Sequence, residues 1–332
     1  MIAVALAIAL LWFGAQVFLL LFAGILFAVF LRNLSDWLAG HTPLSERWAL
    51  AVVALGLLAL VAGSVAFAAP RVAEQAGELR QTLPKSIEKL EAQVARYQWG
   101  TAAIEAAEHP AHYLPDEQAL VKRVTGIFST TFGALAALLV VLFVGLCLAI
   151  EPRTYTRGLL ALVPVRRRAR GREILGDLRE ALGFWLLAKT ASMAVVGVLT
   201  GLGLWLLGVP LVFTLALLAA LLTFIPNIGP ILAAAPAVLL GLLVSPMNAL
   251  YVILLYVGVQ TVETYVITPV IERKTVQLPP AQTVIAQLLL GLLTGMVGII
   301  LAAPLTVAGM VLVRKLYVED ALGDRAGEDD AD

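Results

Sequence analysis

Charge is what this chain lacks. Between Lys189 and Glu272, 82 residues carry a single ionised side chain, Glu263. A water-soluble domain needs charged groups over its outer face to stay dispersed, so the solvent of this stretch is lipid. Cysteine is almost absent as well: Cys147, alone in an apolar run, can close no internal disulfide. All 3 histidines fall in polar segments and no aspartate occurs in the long apolar runs. Those absences remove the aspartate pair, zinc ligands and nucleophile-base pair that an intramembrane enzyme needs. There is no H-E-x-x-H and no nucleotide-binding P-loop, so the chain reads as no enzyme, with neither cofactor nor metal. His109 and His112 form a lone H-x-x-H beside Pro110, with no cysteine or preset helix to complete a coordination shell. With 23 basic and 23 acidic residues the net charge is zero, so no global field attracts nucleic acid.

What remains is apolar. The chain is 61% hydrophobic and 14% charged, with mean hydropathy +0.93. Soluble chains average ~45–50% apolar and ~25% charged. Uncharged runs mark the spans: Met1–Leu31, Trp48–Pro70, Val124–Ile150, Thr190–Val262 with Thr264–Ile271, and Val276–Val313. A crossing takes about 20 helical residues, so the expected fold is an all-α polytopic membrane protein. Residues 1–69 hold the N-terminal membrane helices. Their first run lacks a basic leader and a small-residue cleavage pattern, so it is not read as a signal peptide; it is long enough for one tilted helix or two short ones. Arg32 to Arg47, with His41, reads as a polar turn.

Residues 70–123 change character. Apolar positions Val72, Ala76, Leu79 and Leu83, then Ile87, Leu90, Val94 and Tyr97, make a helical face on each side of Pro84, the pattern of an extramembrane amphipathic arm. After the span 124–150, segment 151–183 packs Arg166, Arg167, Arg168, Arg170 and Arg172 together. Short basic loops stay cytoplasmic, which places this loop and the tail 314–332 inside and the arm outside. No aromatic interleaving accompanies the arginines, against a nucleic-acid role. Ile174, Leu178, Ala181 and Trp185 share a face that predicts a helix lying in the lipid surface. The acidic end Glu328–Asp332 reads as a solubilising tail.

Residues 184–313 carry the expected transport core. Leu211–Ile225 and Ile231–Val244 would rise only about 21–23 Å each, short of a crossing. Between them Pro226, Asn227, Gly229 and Pro230 break the helix, and backbone groups freed at membrane depth survive only against protein or a wet cavity. Ala281–Val313 repeats the logic, punctuated by Gly291, Gly295, Gly298 and Pro304. Both regions read as broken, re-entrant helical hairpins, the pattern that points to a midplane site in transporters. The G-x-x-x-G pairs Gly197/Gly201 and Gly291/Gly295 also suit plain helix packing.

Asn248–Thr268 lies between the hairpins. Tyr256, Gln260, Glu263, Thr264 and Ile267 fall on one stripe. A lone carboxylate in such a helix costs roughly 2.5–3.5 kcal/mol on insertion scales. Two explanations stay open: a structural ion pair with Lys189 or Arg32, or a group that titrates or grips a cation or polar solute. Lys189 in turn suits either snorkelling to the interface or pairing with a membrane carboxylate. For a neutral solute, Asn227, Gln260, Thr261, Thr264 and Gln287 supply hydroxyls and amides; for cation–proton exchange Glu263 is the central candidate. A membrane scaffold that uses the outer arm to hold partners is the non-transport alternative.

The string Phe224-Ile225-Pro226-Asn227-Ile228-Gly229-Pro230 with Pro236-Ala237 resembles the signature of the AI-2E (autoinducer-2 exporter-like) transporter family. So do Gln260-Thr261-Val262-Glu263 with Tyr265 and Thr268-Pro269, then Leu278-Pro279-Pro280, Gly295, Gly298, Ala303-Pro304-Leu305 and Leu316-Tyr317-Val318. The resemblance spans nearly the whole chain and is most specific in its C-terminal half. It implies a bacterial cytoplasmic-membrane exporter or permease with about eight hydrophobic helices, assembled as a homo-oligomer, with a pentamer as the suspected form. Members export autoinducer-2, a small sugar-like quorum-sensing signal, while others are similar to sodium(lithium)/proton antiporters. The expected partners are therefore the bilayer, further copies of the chain, and a small polar solute or a monovalent cation and proton.

Overall fold

The computed structural model describes residues 2–64, 66, 70, 117–267 and 279–323. Among these every regular element is helical. The first apolar run forms one helix, α1 (Ile2–His41), which no proline interrupts. It continues through the stretch expected to be a polar turn because Arg32 is satisfied in place: its Nε donates to the Ala149 carbonyl at 2.6 Å and a second nitrogen lies 3.5 Å from Glu46. The turn is confined to Thr42–Ser45, where Pro43 cannot continue a helix. Then come α2 (Glu46–Ser64) and α3 (Glu117–Ile150). At Glu151 the chain bends by 90° into α4 (Pro152–Ala161).

After a 3-10 turn at Val165–Arg167, helix α5 (Arg168–Leu206) runs unbroken for 39 residues, about 58 Å at helical rise. This differs from the surface-lying helix that the sequence suggested. Ile174 and Trp185 are buried, and Leu178 and Ala181 pack against the core, so their shared face is covered by protein and the helix simply continues into its span. Next are α6 (Val212–Leu222), α7 (Ile228–Val244) and α8 (Pro246–Val262), the last continuing as a π-turn over Glu263–Ile267. Ser245 caps α8 by accepting from the Asn248 N–H at 3.0 Å. Two more helices, α9 (Pro280–Thr294) and α10 (Met296–Leu312), flank Gly295, whose φ of +70° turns the chain; α10 runs into a π-turn over Val313–Glu319. The second break thus falls at Gly295, and Pro304 lies inside α10.

Among the described residues five helices are long and apolar enough to cross a bilayer, six with the bent α3/α4 pair, and α6, α7 and α9 are shorter apolar helices. Contacts divide the chain into two units, Met1–Ala59 with Val140–Asp332, and Leu60–Leu139. In the first, Leu19, Phe22 and Leu26 of α1 meet Leu182, Trp185 and Leu186 of α5 and Leu301, Ala303 and Val307 of α10. A second cluster joins Ala28 and Leu31 to Leu50 and Val53 of α2 and Ala149 of α3. Outward-facing Phe143, Trp205, Leu288, Leu289 and Leu292 stay exposed, as expected where lipid rather than water is the surrounding medium. The start of α5 is tied to the C-terminal π-turn: Arg170 reaches Glu319 at 2.8 Å and Lys315 reaches Asp177 at 3.0 Å. The arginine-rich segment and the C-terminal π-turn therefore share one end of this unit. Residues 71–116 with His109 and His112, Thr268–Pro269, Arg273–Lys274, Leu278 and Glu328–Asp332 lie outside the described residues.

Candidate transport site

Glu263 begins the π-turn of α8 and is 6% exposed. A π-turn widens the backbone ladder by one residue and rotates the side chains beyond it, an irregularity frequent at functional sites. The Glu263 carboxylate accepts a 2.7 Å hydrogen bond from the Ser192 hydroxyl and lies 3.3 Å from the Lys189 ammonium, both on α5. Of the two sequence explanations for Lys189, pairing is the one seen; Arg32 is instead engaged with Ala149 and Glu46. Taking both charges from water costs several kcal/mol per ion, which only close pairing and added hydrogen bonds offset. Ser192 supplies such a bond. It went unnoticed in the sequence because one serine among apolar residues is unremarkable there; its position one turn beyond Lys189 is the signal that could have found it.

The sequence stripe divides in three dimensions. Tyr256 and Glu263 are buried on one line with Val252 and Val259, whereas Gln260 is only half-buried and Thr264 is exposed. Gln260 Nε2 and Thr264 Oγ1 stand 3.5 Å apart, a contact at the edge of hydrogen-bond range on the rim of the helix. Thr261 points outward and donates to its own helix at the Val257 carbonyl.

A second polar arrangement forms at the break between α6 and α7. Asn227 has φ 65° and ψ −50°, and the Ile228 N–H reaches back to the Pro226 carbonyl at 2.7 Å. This is a γ-turn of the rare, strained hand, which asparagine tolerates better than most residues. The Asn227 side chain is exposed, while Pro226 and Pro230 are half-buried. The Pro226 carbonyl also accepts a 2.8 Å bond from Gln287 of α9, whose side chain is buried. Gln287 therefore stitches the first broken region to the second. Trp185, one turn before Lys189 on α5, meets Phe224 edge to face at 5.6 Å, so α5 touches both the Pro226 turn and Glu263. Gln287→Leu is expected to lower stability by about 1 kcal/mol, since one hydrogen bond goes while the Pro226 carbonyl keeps Ile228. Thermal denaturation in detergent measures it.

The arrangement defines a multi-pass α-helical membrane protein with buried polar groups at its helix breaks. The chain matches the sequence model of the AI-2E family transporter over residues 1–317, and it belongs to that family of membrane transporters. Relatives include YrrI of Bacillus subtilis, 30% identical over 46% of this chain and 43% of that protein. YhhT of Escherichia coli K12 is 25% identical over 93% of this chain and 86% of its own length. The AI-2 transport protein TqsA of Escherichia coli K12 is 25% identical over 65% of this chain and 61% of that protein. The match with YrrI covers less than half of that protein's length.

Proposed function

We propose that the protein moves a small polar solute across the bacterial cytoplasmic membrane along the contact between α5 and α8, with the Glu263–Lys189–Ser192 cluster as its polar centre. The observation that carries this reading is the buried carboxylate at a π-turn, held by two side chains of a different helix. The pair is neutral as a unit, which suits a neutral hydroxyl-bearing solute that exchanges hydrogen bonds with it, and the name of TqsA makes autoinducer-2 the first solute to try. Gln287, Asn227 and the turn Pro226–Pro230 border the route from α9 and the first break, and Gln260, Thr264 and Tyr256 lie along the same helix as Glu263. The arginine-rich segment 151–183 and the C-terminus face the cytoplasm and the arm 70–123 faces outward, following the basic-loop rule. Exposed apolar faces of the spans support assembly into a homo-oligomer, with the pentamer of the family resemblance as its size.

The test is flux of labelled autoinducer-2, within a panel of polar solutes, from proteoliposomes with and without imposed ion gradients. Flux should proceed without a gradient, and Glu263→Gln should slow it by about tenfold or more, the equivalent of about 1.4 kcal/mol or more. Unchanged flux in Glu263→Gln would remove the cluster from the route. A second reading has its own observation: an ammonium beside a buried carboxylate is a partner that Na+ or Li+ could displace. Under it, cation-dependent proton movement in vesicles disappears with Glu263→Gln.

A further inference from the structure

Helices α5 and α8 run antiparallel and in step. Ser192 bonds Glu263, and the Asn248 side-chain amide bonds the Leu207 carbonyl at 3.1 Å, so contacts at the two ends are fifteen residues apart on both helices. Between these ends, the Leu255 side chain lies directly over Gly203, where a Cβ would overlap it. This register puts Thr200, eight residues beyond Ser192, level with Tyr256, seven residues before Glu263. The level lies about 12 Å along the seam from the Glu263 cluster.

Both of these side chains end in hydroxyls that have no hydrogen-bond partner among the described residues. Thr200 is 0% exposed and Tyr256 9%, and both oxygens are shut off from solvent. Thr200 sits between the face of α5 that meets α8, at Ser192 and Gly203, and the face that meets Ala216 and Ala220 of α6 at Gly197 and Gly201. Threonine in a helix ordinarily returns its hydroxyl to the carbonyl one turn back, as Thr190, Thr223 and Thr306 do here. Thr200 does not. Buried hydroxyls are nearly always bonded, and each one that is not opposes the closed packing until something supplies a partner.

We propose that Thr200 and Tyr256 form a second site on the α5/α8 seam, closed in this conformation, that takes the hydroxyl of water or of a polyol when the helices part. It rests on the reading of that seam as the transport route and adds a step to it, so that a hydroxyl-bearing molecule leaving the Glu263 cluster meets a new pair of partners one site further on. The closed seam carries the cost of two unmet hydroxyls, and opening removes that cost.

The experiment uses the full chain in proteoliposomes, in a Cys147→Ala background, with single cysteines at Ser192, Thr200 and Val198. The probe is 2-sulfonatoethyl methanethiosulfonate, a charged reagent that enters hydrated space and not hydrocarbon. Val198 is 61% exposed on the outer face of α5 and serves as the lipid-facing control. Thr200→Cys should react about tenfold or more faster than Val198→Cys. Slowing of that reaction by ribitol, but not by NaCl of equal osmolality, assigns the site to polyols; reaction without such protection assigns it to water. Reaction at Ser192→Cys with none at Thr200→Cys overturns this inference and leaves the Glu263 route standing, whereas no reaction at either position overturns both. Thr200→Val, in the natural background, removes the unmet hydroxyl at constant shape and should leave Tm unchanged or raise it; a lowered Tm would reveal a structural partner for the hydroxyl and overturn the site.

Discussion

Replacing Lys189 with alanine is expected to destabilise the protein by about 3–5 kcal/mol and to stop transport, because it removes the ammonium partner of a buried carboxylate. The side chains of Lys189 and Glu263 are only 15% and 8% exposed, so water cannot take over the lost charge. A surface pair would behave otherwise, costing about 1 kcal/mol or less on disruption. The informative companion is the double change Lys189→Met with Glu263→Leu. An apolar pair of similar volume needs no desolvation, so stability should return to near the original value while flux stays absent. Denaturation of the purified protein in detergent, run on Lys189→Met, Glu263→Leu and the double, gives the coupling energy directly. If Lys189→Ala proves as stable as the parent, the pair is solvated and the account of Glu263 as a held, buried centre is wrong.

Gly229→Ala should be the most damaging single methyl in the described structure. A Cβ at Gly229 would overlap the carbonyl oxygen of Leu222, a backbone atom that ends α6 and cannot swing away as a side-chain tip can. The turn has little slack elsewhere: Asn227 already occupies strained backbone space, and the Gly229 N–H is bonded to the Ile225 carbonyl at 3.0 Å. Relief would require α6 and α7 to separate, with loss of the Gln287 bond to Pro226. A cost of about 3 kcal/mol or more is expected, with loss of flux. Gly56→Ala is the matched control, since no atom of the described residues lies within 4 Å of its Cβ position, and it should be neutral. Folded yield and Tm of the two variants decide the matter; equal behaviour would mean the turn is loose.

The sequence was legible wherever a property is local. Spans emerge from runs of uncharged residues, the first break from proline and glycine at Pro226–Pro230, and the importance of Glu263 from its isolation; for the second break the sequence offered Gly291, Gly295, Gly298 and Pro304, and the structure puts it at Gly295. It was less legible where continuity depends on what a segment touches. Arg32 looked like the end of a helix, yet α1 passes through it because the Ala149 carbonyl and Glu46 receive its guanidinium. The face of Ile174 and Trp185 looked like a lipid-surface face, and it is covered by protein instead. Gln260 and Thr264 shared a stripe with Tyr256 and Glu263 in projection, but Tyr256 and Glu263 are buried while Gln260 is half-buried and Thr264 exposed.

By itself, then, the amino-acid order determined that this is a helical membrane protein, that its backbone breaks at Pro226–Pro230, and which carboxylate needs an explanation, since hydrophobicity and backbone restriction act within a few residues. Only the tertiary structure decided that Lys189 and Ser192 answer Glu263, that Gln287 answers Pro226, and that the register of α5 on α8 brings Thr200 level with Tyr256. Those pairings join residues far apart in the chain, and they depend on the rotation and register of one helix against another, which side-chain packing sets and no local pattern encodes.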